Sequence, residues 1–164
     1  MMRAFLFAIS TTLLVAACGQ PAAPTPQPDA VEAAAIELHD AWGTPTPGGR
    51  DISAGYVEII NGTDAEDRLV SVSSPRAERV EVHEMSMEGG VMRMRAVEGG
   101  LAIPAGETVA LAPGGLHLMF YGATQPFAVG ESIPVTLTFA NAGEMQIAMS
   151  VRIPGATSPE HSGH

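Results

Sequence analysis

A chain of 164 residues with a formal charge of −10, in which all 8 basic residues are Arg, suits one domain plus short extensions. It lacks the cationic surface that would displace counterions from phosphate, which excludes nucleic acid and electrostatic docking on anionic lipid. Its acidity fits a solvated surface, a basic protein partner or a cation.

The first residues set the compartment. Met1-Met2-Arg3 is a short positive start, and the apolar run that follows to Ala17 is too short to span a bilayer comfortably, as a secretory signal is. It ends Leu14-Val15-Ala16-Ala17-Cys18-Gly19, which resembles a bacterial lipobox. That resemblance implies a lipoprotein signal peptide over residues 1–17, cleavage before Cys18 and acylation of Cys18, with several acyl chains holding the protein to a membrane. Cys18 is the single cysteine, so lipidation leaves no thiol in the folded part. Residues 18–34 are rich in Pro, Ala, Gln and Thr. They cannot bury enough apolar surface to order themselves and read as a stiffened tether.

Residues 35–153 then show almost no helical periodicity. Short runs at 36–42, 53–61, 69–73, 79–85, 92–97, 101–103, 108–111, 116–121, 132–139 and 145–153 read as strands. Gly, Pro and Asn punctuate them, as at Asn61-Gly62, Glu98-Gly99-Gly100 and Pro113-Gly114-Gly115. Two of the runs flank Asn141-Ala142-Gly143 and read as a closing hairpin. The expectation is a single all-β domain, an antiparallel sandwich or barrel, with residues 154–164 as a polar tail containing His161 and His164.

Five of the methionines fall between positions 85 and 119. His83-Glu84-Met85, Met92-Arg93-Met94 and His117-Leu118-Met119 each carry two soft donors at i and i+2. On a strand those side chains leave the same face, roughly 7 Å apart at the backbone. Thioether sulfur with imidazole suits Cu(I) rather than Mg(II) or Ca(II), and Zn(II) normally takes Cys, His or carboxylate. A blue-copper electron carrier needs a thiolate that this chain does not supply. A single Met on a strand is ordinarily packing; three same-face pairs in a cysteine-free domain favour metal. Glu84, Glu88, Arg93 and Arg95 read as the solvated opposite face.

The block VEVHEMSMEGGVMRMRAVEGGLAIPAGETVALAPGGLHLMFYG resembles the periplasmic copper chaperones called PCu(A)C, whose signature is His-x10-Met-x21-His-x-Met. His83 and Met94 have ten residues between them, and His117-Leu118-Met119 completes the pattern. Met94 and His117 are separated by one residue more than the signature, a surplus that the turn at Gly99-Gly100 can absorb. The likeness extends to Ala41-Trp42, SAGYVEIINGTDAEDRLVSVSSP and GESIPVTLTFANAGEMQIAMSVRIP, nearly the whole domain. It implies a cupredoxin-like Greek-key antiparallel β-sandwich that binds one Cu(I) through His83, Met94, His117 and Met119, with Met85 and Met92 as auxiliary donors. It further implies delivery to a copper-accepting periplasmic protein, a respiratory oxidase subunit or its assembly factor, from the periplasmic side of the cell envelope.

The tail histidines His161 and His164 offer a second, weaker site suited to Cu(II). No Gly-x-Ser-x-Gly, His-Glu-x-x-His or spare Cys nucleophile occurs, so the expectation is a binding protein without turnover. The alternative is a structural or adhesive envelope sandwich whose Met cluster is core.

Overall fold

The computed structural model describes residues 35–155, Gly49 excepted. The signal peptide expected over residues 1–17, the tether over 18–34, Cys18, and the tail histidines His161 and His164 lie outside the described residues. Ten strands form: β1 (Ile36–Gly43), β2 (Ser53–Asn61), β3 (Asp67–Ser73), β4 (Ala77–Glu88), β5 (Val91–Ala96), β6 (Leu101–Ile103), β7 (Thr108–Leu111), β8 (Leu116–Ala123), β9 (Ser132–Phe139) and β10 (Gly143–Val151). No helix occurs among the described residues.

The strand order is β5-β4-β8-β2-β1-β10-β9-β3-β6, and β3 also pairs with β4 at Val72 and Val80. That last pairing curls the sheet back on itself, so the all-β sandwich is closed like a barrel. β5 and β6 hang from it as extra edge strands, and β7 adds to β2. All pairings are antiparallel except β1 with β10, which run parallel through Trp42 opposite Ser150.

The core follows strand alternation. On β9, Ile133, Val135, Leu137 and Phe139 are buried, and the residues between them are not. Val57, Ile59, Leu69, Ile103, Leu118, Phe120, Met149 and Val151 are among the residues that join them in the interior. Burying each such side chain contributes roughly 1.5–3 kcal/mol before the chain-ordering cost is subtracted. Gly55 on β2 is required by this packing: a Cβ there would meet Phe120 Cε2 at 2.7 Å and Met149 Cε at 2.9 Å.

Two polar groups hold one rim together. Asn61, predicted as a turn residue, closes β2 and is fully buried. Its amide donates to the carbonyls of Ala65 and Ile103, and its oxygen accepts from Thr63, so no hydrogen-bonding capacity is stranded. The Asp67 carboxylate accepts backbone N–H groups of Arg68, Asn141 and Ala142 at 2.7, 2.9 and 2.9 Å. Burial alone would raise its pKa, but the backbone donors outweigh that and hold it below the usual carboxylate value.

Candidate metal centre

Strands β5, β4 and β8 lie side by side, and their register decides which side chains meet. His83 lies opposite His117 on β8 and opposite Ala96 on β5. One step toward the β4–β5 turn, Met85 faces Met94, and one step further Met87 faces Met92. In the other direction Glu81 faces Met119 and Arg79 faces Tyr121. Directly opposed residues project to the same side of a sheet. Arg79, Glu81, His83, Met85 and Met87 therefore share one face with Met92, Met94, His117, Met119 and Tyr121.

The alternate residues take the other side. Val80, Leu118 and Phe120 enter the core. Glu88 pairs with both Arg93 and Arg95 across the hairpin, and Glu84 is exposed. The solvated opposite face of the hairpin is as the alternation indicated.

Although His83 and His117 point away from the core, they are buried, at 8% and 4% exposure. Their ring centroids are 5.9 Å apart. Each imidazole has one nitrogen engaged. His83 Nε2 donates to Glu81 Oε2 at 2.9 Å, because a carboxylate can only accept. His83 Nδ1 is then an acceptor, and it is buried with no hydrogen-bond partner. His117 Nδ1 donates to the Gly115 carbonyl at 3.0 Å, which leaves Nε2 with its lone pair. That same carbonyl accepts the Met85 N–H at 3.1 Å, tying the turn before β8 to β4.

A buried imidazole lone pair without a donor is costly. A soft cation bound there would satisfy it, and the neutral thioethers nearby add no further charge to desolvate. Among the described residues no group of three or more His, Cys, Asp or Glu is placed to hold an ion. The sulfur-bearing side chains on the same face, one register step from the two imidazoles, are Met85, Met94 and Met119.

Of the residues singled out in the sequence, His83 and His117 are paired directly, with Met119 one register step to one side of that pair and Met85 and Met94 one step to the other. Met92 stands a step further out, and it is exposed. Met119 is half-buried, beside Ala54 on β2 and a pocket of about 160 Å³ lined by Thr44, Pro47 and Ile52.

Glu81 was not singled out, although its i−2 spacing from His83 places it on the same face. It also binds Arg79, at 3.0 Å from Nε, and the Arg79 guanidinium lies 4.5 Å over the Tyr121 ring. That chain of contacts holds the carboxylate against His83.

These features define the domain as one of PCu(A)C type. The chain is similar to the copper-bound PCuAC domain from PmoF2, at 27% identity and a TM-score of 0.62, over 73% of this chain and 93% of that one. It is also similar to Cu(I)-bound DR1885 from Deinococcus radiodurans, at 26% identity and a TM-score of 0.57, over 76% and 80% of the two chains. Among sequence relatives is "Putative lipoprotein Lxx21020" of Leifsonia xyli subsp. xyli, 28% identical over 132 residues, 80% of this chain and 78% of that protein. Residues 36–151 match the family described as "Putative lipoprotein LpqE-like". The chain belongs to that family, the PCu(A)C family.

Proposed function

We propose that this protein is an exported, membrane-tethered copper chaperone that carries one Cu(I) and hands it to a periplasmic acceptor, without catalysing a reaction of its own. The observation that carries this reading is the buried, unpartnered Nδ1 of His83 beside His117 on a face lined with thioethers. The similar PCuAC domain from PmoF2 is a copper-bound structure, and the similar DR1885 structure holds Cu(I).

His83 Nδ1, His117 Nε2 and the sulfurs of Met119 and Met94 are the proposed donors, with Met85 beside them in support. Met94 is placed one register step from His83, and diagonal neighbours on a sheet remain within reach of long side chains. Neutral sulfur and imidazole favour Cu(I) over divalent ions. Because Met94 is 47% exposed, one donor can be displaced while the buried histidines still hold the ion. Thioethers carry no proton to gain or lose, so that exchange needs no acid or base. An acceptor such as a respiratory oxidase subunit or its assembly factor would then take the ion by successive ligand replacement.

Residues 1–17 as signal peptide, Cys18 as lipid anchor, residues 18–34 as tether and 35–153 as the copper-binding domain complete the proposal. It also includes a weaker Cu(II) site at His161 and His164 in the tail. The test is anaerobic Cu(I) titration against a colorimetric chelator. One tight equivalent per chain, lost in His117→Ala, is expected. Sub-stoichiometric binding, or equal competition by Zn(II) in a chain lacking the two tail histidines, would refute the assignment.

A further inference from the structure

The β4–β5 hairpin carries two more methionine sulfurs than the proposed donor set and its support need. Met87 and Met92 face each other in register at 66% and 60% exposure. They belong to neither the core nor the group of partly buried residues packed on it. The opposite face of the same hairpin is built as solvent-facing strands ordinarily are, with Glu84, Glu88, Arg93 and Arg95. Val91 is exposed on that charged face, at 59%, but only on the other face do two thioethers stand opposed in water, and neither packs on the core among the described residues.

Their placement gives them another. Three successive steps on one face run Met87 with Met92, then Met85 with Met94, then His83 with His117. Exposure falls along the series, from 66% and 60% at the outer pair to 8% and 4% at the histidines. Successive steps are two residues apart, about 7 Å along a strand, and flexible Met side chains extend from each. The first two steps each offer a pair of thioethers, softer donors than water, and the last offers two imidazoles.

We propose that Met87 and Met92 form a separate outer thioether site, which receives Cu(I) at the hairpin surface and passes it through Met85 and Met94 to the histidines. This rests on the Cu(I) reading above and adds a second site and a direction of travel. The ion stays Cu(I) throughout and no electron moves. Bonds to the Met87 and Met92 sulfurs break as bonds to Met85 and Met94 form, and the released thioethers remain neutral. Two sulfurs alone make a weaker site than the full inner set, so the outer pair fills only transiently at one equivalent.

Two measurements test it on the folded chain. With methionine methyl groups labelled for NMR, Cu(I) added beyond one equivalent should shift the Met87 and Met92 methyl signals, reporting the outer pair directly. In stopped-flow transfer from a Cu(I)–chelator complex, Met87→Leu should load at least about fivefold more slowly, while its affinity for the first equivalent changes by less than about twofold. The swap conserves volume at an exposed position, so the fold persists. Unmoved Met87 and Met92 methyls in the presence of excess Cu(I), or wild-type loading by Met87→Leu, overturns the proposal. Absence of the tight first equivalent would instead refute the inner site, since the methyl signals read the outer pair independently.

Discussion

Removing the Glu81 carboxylate should weaken Cu(I) binding without removing any ligand. Glu81 Oε2 fixes the proton of His83 on Nε2 at 2.9 Å, and Arg79 holds the carboxylate from its other oxygen at 3.0 Å. In Glu81→Ala the His83 proton is free to move to Nδ1, the nitrogen that must offer its lone pair. A charge-assisted hydrogen bond contributes roughly 1.5–3 kcal/mol when well shielded. The Glu81 side chain is 34% exposed, which places this one at or slightly below the lower end. A loss near 1.4 kcal/mol corresponds to about tenfold in affinity, the lower part of the range for partners that orient a metal-bound His. Chelator competition measures the affinity, and nitrogen-15 NMR of the apo imidazoles reports which nitrogen of His83 carries the proton. Affinity within about twofold of wild type, with the His83 proton still on Nε2, would refute the reasoning.

Other substitutions separate site from scaffold. Met119→Leu conserves volume and should cost less than about 1.5 kcal/mol of stability, yet weaken Cu(I) binding at least about tenfold; the same swap at the buried core residue Met149 should leave affinity unchanged. Equal affinities for the two variants would mean that the Met119 sulfur is not a donor. Asp67 has a lowered folded pKa, so its contribution is present above the ordinary carboxylate pKa near 4 and is lost as pH falls through the folded value. Urea unfolding should find Asp67→Asn less stable than wild type by about 1–3 kcal/mol at pH 7, with the gap closing at acid pH; an equal gap at both pH values would contradict this. Cys18→Ser should abolish partition into the detergent phase, and a wild-type protein recovered wholly in the aqueous phase with a free thiol would refute the anchor.

Strand positions were legible because their causes are local. Alternating apolar side chains and Gly, Pro or Asn between them mark β2, β6, β7 and β9 at the residues where they form. The two-residue period likewise shows that His83 and Met85, Met92 and Met94, and His117 and Met119 share faces pairwise, because a strand turns each successive side chain over. Periodicity does not state which strand lies beside which, or in what register. The pairing of β4 with β8 that sets His83 opposite His117, the parallel contact of β1 with β10, and the closure through Val72 and Val80 are long-range hydrogen-bond choices, decided by how the whole core packs. The same choices bury two outward-facing histidines, bring the Gly115 carbonyl to the Met85 N–H, and leave His83 Nδ1 without a partner. Sequence determined which soft side chains share a face and in what pairs; the tertiary structure decided which of those pairs lie side by side, because register is a property of strand pairs and no single strand contains it.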